Sequence, residues 1–176
     1  YKALKDYNRA VEYELASLAI AQEVGDQQVE GQILKNLGNA YYALGEYALA
    51  AQYYAGRLEI ARMTEDSRTE SQILKSLGST YHAMGDFAKA IACLEDRLVV
   101  VRLCQDARAE EQTLASLGVI YESVGNYLKA VEVYERRLLI GRELRDIQVE
   151  KQSLGSLQVA CYAIGDFAKV MAYSSK

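Results

Sequence analysis

Apolar residues recur along the chain at the three- and four-residue spacing of an amphipathic helix. Within residues 67–106, the first run of such positions consists of Ile73, Leu74, Leu77, Tyr81 and Met84. The second run consists of Phe87, Ala90, Ile91, Leu94, Leu98 and Val101. No alternation of period two competes with these runs, and the chain has no proline. The pattern therefore predicts two long helices joined by a short turn.

Glycine and polar residues mark the ends of these helices. Gly85 suits the left-handed turn that ends a helix, and Asp86 suits the N-cap of the next one. Asp106 can cap the helix after that, and Glu110 suits the positive end of its dipole. Across the chain, the position of Asp86 is occupied in turn by Asp6, Glu46, Asp86, Asn126 and Asp166. Each pair of helices is therefore predicted to form a hairpin.

The hairpin repeats with a period of 40 residues. The stretch "LKNLGNAYYALGEYALAAQYY" at 34–54 returns as "LKSLGSTYHAMGDFAKAIACL" at 74–94 and as "LASLGVIYESVGNYLKAVEVY" at 114–134. The predicted single array consists of a partial repeat 1–26, full repeats 27–66, 67–106 and 107–146, and a partial repeat 147–176. One hairpin cannot bury its apolar faces alone, so stacked hairpins in a solenoid are predicted. Because the chain starts and stops within a repeat, we expect a fragment of a longer array.

Composition and charge narrow the classes of partner. The 176 residues are 51% hydrophobic and 25% charged, as in ordinary folded proteins. A net charge of −4 argues against a nucleic-acid partner, which favours a basic face. No apolar run approaches the roughly 18 residues of a membrane span. Cys93 and Cys104 lie about 16 Å apart along one predicted helix, which is beyond disulfide reach. We therefore expect a reduced, cytoplasmic protein without membrane attachment.

Chemistry-bearing motifs are missing from the sequence. The three cysteines lack the CxxC spacing of a zinc site, and His82 is the single histidine. No phosphate-binding loop, nucleophile elbow or dinucleotide motif is present. We therefore predict neither an enzyme nor a metal or cofactor site. His82 itself is open to two interpretations, a solvated side chain or part of a binding surface.

The repeated phrase resembles the tetratricopeptide repeat. The family signature of Leu-Gly, Tyr, Ala and a later aromatic is matched by Leu37, Gly38, Tyr41, Ala50 and Tyr54. The 40-residue period resembles the long repeats of the Pins/LGN class of cell-polarity scaffolds and of bacterial arrays attached to signalling enzymes. That likeness is carried by "GRLEIAR" (56–62), "DRLVVVR" (96–102) and "RRLLIGR" (136–142). The resemblance implies an all-α, right-handed superhelical solenoid of antiparallel helix hairpins.

The last repeat departs from the signature. Gln158 replaces the glycine of the Leu-Gly pair, and Cys161 replaces the tyrosine. Because that glycine lets the two helices of a hairpin approach closely, we expect Gln158 to loosen or shift the last pair.

The resemblance also implies a concave groove built from the first helix of each repeat. The residues predicted to line this groove and bind a peptide are Gln32, Lys35, Asn36, Asn39, Tyr42, Gln72, Lys75, Ser79, His82, Gln112 and Glu122. The earlier repeats offer lysine, asparagine and glutamine, whereas the later ones offer smaller and apolar groups. A segment that is acidic at one end and apolar at the other would suit this gradient.

These features predict a scaffold that binds an extended peptide or protein segment in the groove. One alternative is a regulatory or sensor array that controls an attached effector domain. Another is a structural array whose ends associate with each other.

An arginine recurs with the repeat period at Arg57, Arg97 and Arg137. One interpretation is a basic stripe for an acidic partner. The interpretation we favour is structural: each arginine bridges the glutamate thirteen residues later, as in Arg97 to Glu110, and so joins successive repeats.

Overall fold

The computed structural model describes the backbone of residues 2–174, with the side chains of residue 9 and residues 11–174. The described part of the chain is helical and contains no strand. Its helices are α1 (Lys2–Val24), α2 (Gln27–Leu44), α3 (Tyr47–Met63), α4 (Ser67–Ala83), α5 (Phe87–Leu103), α6 (Ala107–Ser123), α7 (Tyr127–Glu143), α8 (Ile147–Ala163) and α9 (Phe167–Ser174). The all-α prediction with long helices and short turns is confirmed.

Two compact units make up the chain, Tyr1–Cys93 and Leu94–Lys176. In the first unit, α1 packs on α2, α2 on α3 and α3 on α4. In the second unit, α6 packs on α7, α7 on α8 and α8 on α9. Within each unit, these consecutive helices therefore pack against each other, as expected for repeated hairpins.

Most of the apolar positions predicted from the helical spacing form the interior of each unit, whereas Met84, at the end of α4, is 44% exposed. In the first unit, the buried side chains include Leu37, Ala50, Ile73, Leu74 and Leu77. In the second unit, they include Leu114, Leu117, Ala130, Ile140 and Leu157. Each fully buried leucine or isoleucine contributes roughly 1.5–3 kcal/mol to folding.

The helix ends follow the predicted turn chemistry. Gly45 has a left-handed φ of 81° after α2, a conformation that glycine adopts without steric cost. The carboxylate of Asp106 accepts a hydrogen bond from the backbone N–H of Ala109 at 2.9 Å and caps α6. Glu46 makes no side-chain cap, although it occupies a cap position. The cap predicted at Asp6 is wrong, because α1 already begins at Lys2, and the side chain of Asp6 lies outside the described residues.

The Leu-Gly pair makes room for a tyrosine ring. A Cβ added to Gly38 would overlap the ring of Tyr54 from α3. In the second unit, a Cβ added to Gly118 would overlap the ring of Tyr134 from α7 in the same way. The glycine therefore allows close approach, as predicted, and the group that approaches is the ring of the second helix.

The last hairpin uses a different pair at this position. Ser174 stands 40 residues after Tyr134, so no large ring needs the space beside α8. Gln158 occupies the position of the glycine, and its Nε2 donates a hydrogen bond to the backbone carbonyl of Tyr173 at 3.1 Å. The larger side chain is thus matched by a smaller partner and an added bond to α9.

Ion pairs join the ends of α3, α5 and α7 to the beginnings of the helices that follow them. Their Nε to Oε1 distances are 2.8 Å for Arg62–Glu70, 2.9 Å for Arg102–Glu110 and 2.8 Å for Arg142–Glu150. All three pairs have a spacing of eight residues across the turn. Each of these pairs therefore joins one repeat to the next.

The predicted bridge from Arg97 to Glu110 is wrong. Arg97 donates to the hydroxyl of Thr113 at 2.7 Å, whereas Glu110 accepts from Arg102 and also from Arg136, at 3.2 Å. Arg97 lies five residues before Arg102, which is about 7.5 Å along α5. The residue that reaches Glu110 is therefore the one in the last turn of α5.

Candidate functional site

In the first unit, the residues predicted to bind a peptide lie on one face of α2 and one face of α4. On α2 they are Gln32, Lys35, Asn36, Asn39 and Tyr42, and on α4 they are Gln72, Lys75, Ser79 and His82. All are exposed except Lys35 and Asn36, which are half-buried. Their three- and four-residue spacing gives each set a common face.

Hydrogen bonds within the unit already hold part of the α2 face. Asn36 Nδ2 donates to Glu14 of α1 at 2.7 Å. Gln32 Nε2 donates to Asn36 Oδ1 at 3.0 Å. Gln32 and Asn36 therefore support each other and the neighbouring helix, and this reduces what they can offer to a partner.

Tyr54 of α3 contacts both the α2 face and the α4 face. Its phenol donates to Asn39 Oδ1 at 2.7 Å, so the amide nitrogen of Asn39 is directed away from the ring. Burial raises the pKa of the Tyr54 phenol, Tyr42 raises it further, and a hydrogen bond with Ser76 of α4 opposes the rise. Tyr54 from α3 thus lies between α2 and α4.

Two aromatic side chains mark the end of the α2 and α4 faces. Tyr42 packs edge-on against Tyr47 with ring centroids 5.2 Å apart. His82 packs edge-on against Phe87 at 5.6 Å. Both rings are exposed and rest on the first residue of the following helix, so His82 is a packed surface side chain.

In the second unit, the corresponding surface has a different character. Gln112 is exposed on α6, and Glu122 is half-buried on the same helix. The positions matching Asn39 carry apolar side chains here, with Val119 51% exposed on α6 and Val159 61% exposed on α8. The gradient from polar to apolar residues is therefore present on the exposed helix faces of the two units.

An open pocket of about 430 Å³ lies on this surface of the second unit. The residues that line it are Glu122, Arg137, Gln152, Gly155, Ser156 and Val159. They come from α6, α7 and α8. Two residues of this unit were predicted from the sequence to bind a peptide. Glu122 lines the pocket, and Gln112 does not.

Arg137 forms one wall of the pocket and is buried. Its Nε donates to Glu111 Oε1 at 2.7 Å, and its Nη2 donates to Gln152 Oε1 at 2.8 Å. Arg137 is 8% exposed and Glu111 is 5% exposed, so the ion pair is shielded from water. A buried arginine of this kind needs its carboxylate, because an unpaired charge is costly to bury.

Glu122 is the acidic residue that lines the same pocket. Burial raises the pKa of its carboxyl, and a hydrogen bond from Tyr134 opposes the rise. Burial and the charge of Glu122 raise the pKa of the Tyr134 phenol to about 12. Oε1 of Glu122 is buried without a hydrogen-bond partner among the described residues.

Sequence reasoning missed the Arg137–Glu111 pair. The available signal was that Arg137 and Glu111 are both charged at positions whose helical register is buried. The hydroxyl groups of Tyr54 and Tyr134 also bond groove positions, which helical spacing alone does not show.

Comparison with protein families gives a match to the tetratricopeptide repeat. The model of this repeat matches residues 33–68, 73–108 and 113–148, which together form more than half of the chain. No curated protein matches the sequence significantly. Among the described residues, no helix is long and apolar enough to cross a membrane.

Solved structures with the same fold come from several proteins. BtubC (BKLC) from P. vanneervenii is 23% identical, with a TM-score of 0.77 over 96% of this chain and 70% of that protein. A signal transduction ATPase with numerous domains (STAND) from Pyrococcus horikoshii, which has a tetratricopeptide repeat sensor, is 19% identical with a TM-score of 0.82. A Rap protein complexed with competence and sporulation factor is 15% identical with a TM-score of 0.66.

The coverage of these proteins is uneven. The present chain spans 27% of the STAND protein and 58% of the Rap protein, although 99% and 98% of it is matched. At these identities the likeness establishes the fold. The family model matches three repeats, and the structure has the helical hairpins that such repeats form. The chain therefore belongs to the tetratricopeptide repeat family.

Proposed function

We propose that the chain is an interaction module whose first helices bind an extended peptide or protein segment. An acidic part of that segment lies against Lys35, Asn39, Lys75 and Ser79 of the first unit. The repeat fold supports a protein-interaction or sensor role. The Rap protein that shares the fold is complexed with competence and sporulation factor, which motivates a ligand of similar kind.

The observation that carries the proposal is that Lys35 and Lys75 are accessible and make no ion pair within the described part of the chain. Lys75 is exposed, Lys35 is half-buried, and neither has an ion-pair partner among the described residues. The amide nitrogen of Asn39 is directed away from Tyr54, so it can donate to a peptide carbonyl. Two lysines and an amide donor on neighbouring exposed faces suit a carboxylate-bearing segment, because charge-assisted hydrogen bonds are the stronger ones.

Selection from a random peptide library displayed on phage tests this proposal. The parent chain should enrich peptides that contain Asp or Glu at fixed positions. The double variant Lys35→Glu/Lys75→Glu should lose that enrichment, since it replaces both donors with acceptors. A matched control, Arg68→Glu/Arg145→Glu, changes the net charge equally at exposed positions outside the predicted groove. The proposal fails if the parent enriches no acidic peptides, or if both double variants enrich the same peptides as the parent.

A sensor array is the second candidate function. It is motivated by the likeness to the tetratricopeptide repeat sensor of the STAND protein. In that case the helix faces would contact an effector domain of the same protein. A full-length sequence with a nucleotide-binding domain beside these repeats, together with an empty peptide selection, would favour it.

A further inference from the structure

The pocket of the second unit contains a buried hydrogen-bond acceptor without a donor. Oε1 of Glu122 is buried and unbonded among the described residues. A buried polar atom that lacks its hydrogen bond costs roughly 1–3 kcal/mol, and more if it is charged. Oε1 itself has almost no accessible surface, but Glu122 lines an open pocket, so a cation bound in the pocket can compensate the charge of this carboxylate.

The charges around the pocket leave one negative group uncompensated. Arg137 lines the pocket, but its charge is matched by Glu111 at 2.7 Å. Gln152, Gly155, Ser156 and Val159, which complete the lining, carry no charge. With Glu122 ionised, the pocket therefore has a net charge of minus one. An anionic ligand would be repelled and a cationic one attracted.

Space for a side chain is available next to Glu122. A Cβ added to Gly155 would have no neighbouring heavy atom within 4 Å, so α8 leaves its backbone open at this point. Val159 is 61% exposed and offers an apolar surface to the methylene groups of a long side chain. Lysine and arginine combine such a stem with a cationic head.

We propose that this pocket binds a lysine or arginine side chain of a partner segment, with the cationic head paired with the Glu122 carboxylate. The inference rests on the proposed function, because the partner is taken to be a peptide segment. It adds the requirement that the partner segment carries a basic residue at the second unit. The proposed site at the lysines of the first unit does not contain this requirement.

A cation suits the site better than a neutral amide. A hydrogen bond between a cationic donor and a carboxylate is roughly twice as strong as one between neutral groups. A neutral amide would also leave the charge of Glu122 uncompensated in a half-buried position. The raised pKa of the Glu122 carboxyl agrees with an environment that lacks a positive partner for it.

The matching positions of the first unit provide an internal comparison. Tyr42 and His82 occupy the repeat position of Glu122, and both are exposed rings packed on a neighbouring aromatic residue. Neither presents a carboxylate. Selectivity for a basic side chain is therefore assigned to the α6–α8 pocket alone among the described hairpins.

Carbon-detected NMR of the Glu122 carboxyl, with the whole chain and small probes, tests the inference. N-acetyl-arginine methylamide and N-acetyl-lysine methylamide should shift the Glu122 carboxyl and the Gly155 amide in a saturable way. N-acetyl-glutamine methylamide, which offers a neutral amide, should bind at least tenfold more weakly. The Glu122→Gln variant should lose the response of Gly155 to the basic probes, and Glu122→Asp should weaken it. The exposed control Glu143→Gln, with the same change in charge, should respond as the parent does.

Three results would overturn the inference: no shift with either basic probe, an equal response to the glutamine probe, or an unchanged Gly155 response in a folded Glu122→Gln variant. The outcome is separable from the peptide selection. Acidic peptides that depend on Lys35 and Lys75, without a response to basic probes, would support the proposed function and remove only this site. A response to basic probes with an empty selection would support the site and remove the proposed function.

Discussion

The hairpins α2–α3 and α6–α7 share their packing and differ in the charges beside it. In both, a glycine of the first helix receives a tyrosine ring of the second: Gly38 receives Tyr54, and Gly118 receives Tyr134. These contacts fix the distance between the helices. Since they are the same in both hairpins, the difference between the two surfaces cannot come from the packing of this pair.

The arginine of the second helix shows the difference most clearly. Arg137 faces Glu111 and bonds it at 2.7 Å. Arg57 occupies the same repeat position but lies against Gly31, where a Cβ would overlap its guanidinium. Its Nε atom is buried without a hydrogen-bond partner among the described residues. The same repeat position is thus a closed ion pair in one unit. In the other unit it is an arginine without an ion pair among the described residues, whose charge acts on the carboxyl of Asp66.

This comparison shows which positions a repeat keeps and which it varies. The positions that set helix spacing hold the same kind of side chain, whereas those beside the exposed faces change charge and size. The first unit consequently offers cationic and amide donors, and the second offers an acidic pocket with exposed valines.

The largest expected effect comes from breaking the closed ion pair. Arg137→Met should lower the free energy of unfolding by about 3–5 kcal/mol, because it leaves Glu111 buried without a cation. Arg57→Met should change it by less than about 1 kcal/mol, since no carboxylate loses an ion pair there and Asp66, which senses the charge of Arg57, is exposed. Urea denaturation followed by circular dichroism measures both. The double variant Arg137→Met/Glu111→Leu should recover most of the loss, and equal losses for the two arginine variants would contradict the comparison.

A smaller effect is expected from filling the space under the tyrosine ring. Gly118→Leu should lower stability by about 1–3 kcal/mol, because the added side chain overlaps the ring of Tyr134. Gly155→Ala is the matched control, since its Cβ would meet nothing within 4 Å, and it should raise helix stability by up to about 1 kcal/mol. Thermal melts separate the two. A Gly118→Leu protein that melts like the parent would remove the role assigned to the Leu-Gly pair.

The smallest expected effect is the dependence of stability on pH at the α5–α6 junction. Burial raises the pKa of Glu110, but hydrogen bonds from Arg102 and Arg136 outweigh it, so the pKa lies below its ordinary value of 4.5. A lowered pKa in the folded state means that Glu110 stabilises the fold above that value. This contribution is lost as the pH falls through the pKa of the folded state.

Urea denaturation between pH 6 and pH 3 measures this contribution. The parent should lose stability over the acid part of this range, and Glu110→Gln should show a shallower loss. Glu70→Gln in the first unit, which removes the carboxylate that Arg62 bonds, gives the matched comparison. Identical acid dependence in the parent and Glu110→Gln would contradict the assignment.

The repetition of short-range signals made the fold predictable from the sequence. Helical spacing, Gly85 in a left-handed turn and Asp106 at a cap are local features, and each is confirmed. The Arg97–Glu110 bridge failed because equal spacing along the chain does not show which residue lies in the last turn of a helix. The eight-residue spacing of Arg102 and Glu110 across the turn was the better signal.

The candidate site was less predictable because it depends on partners from different helices. Helical register placed Lys35 and Lys75 on exposed faces, and both are accessible in part or in full. Register alone could not show that Asn36 already bonds Glu14 or that Oε1 of Glu122 lacks a donor. Those facts depend on which side chains meet when helices pack, and a repeat pattern does not contain this information.

The central claim is that the varied positions on the first helices bind a peptide segment while the constant positions only build the scaffold. Isothermal titration calorimetry with the most enriched acidic peptide, at two salt concentrations, tests it most directly. Lys35→Glu/Lys75→Glu should keep the helicity of the parent, bind the peptide at least tenfold more weakly and show a smaller salt dependence of the remaining affinity. Unchanged affinity in the folded double variant would contradict the claim and place the binding site elsewhere on the chain.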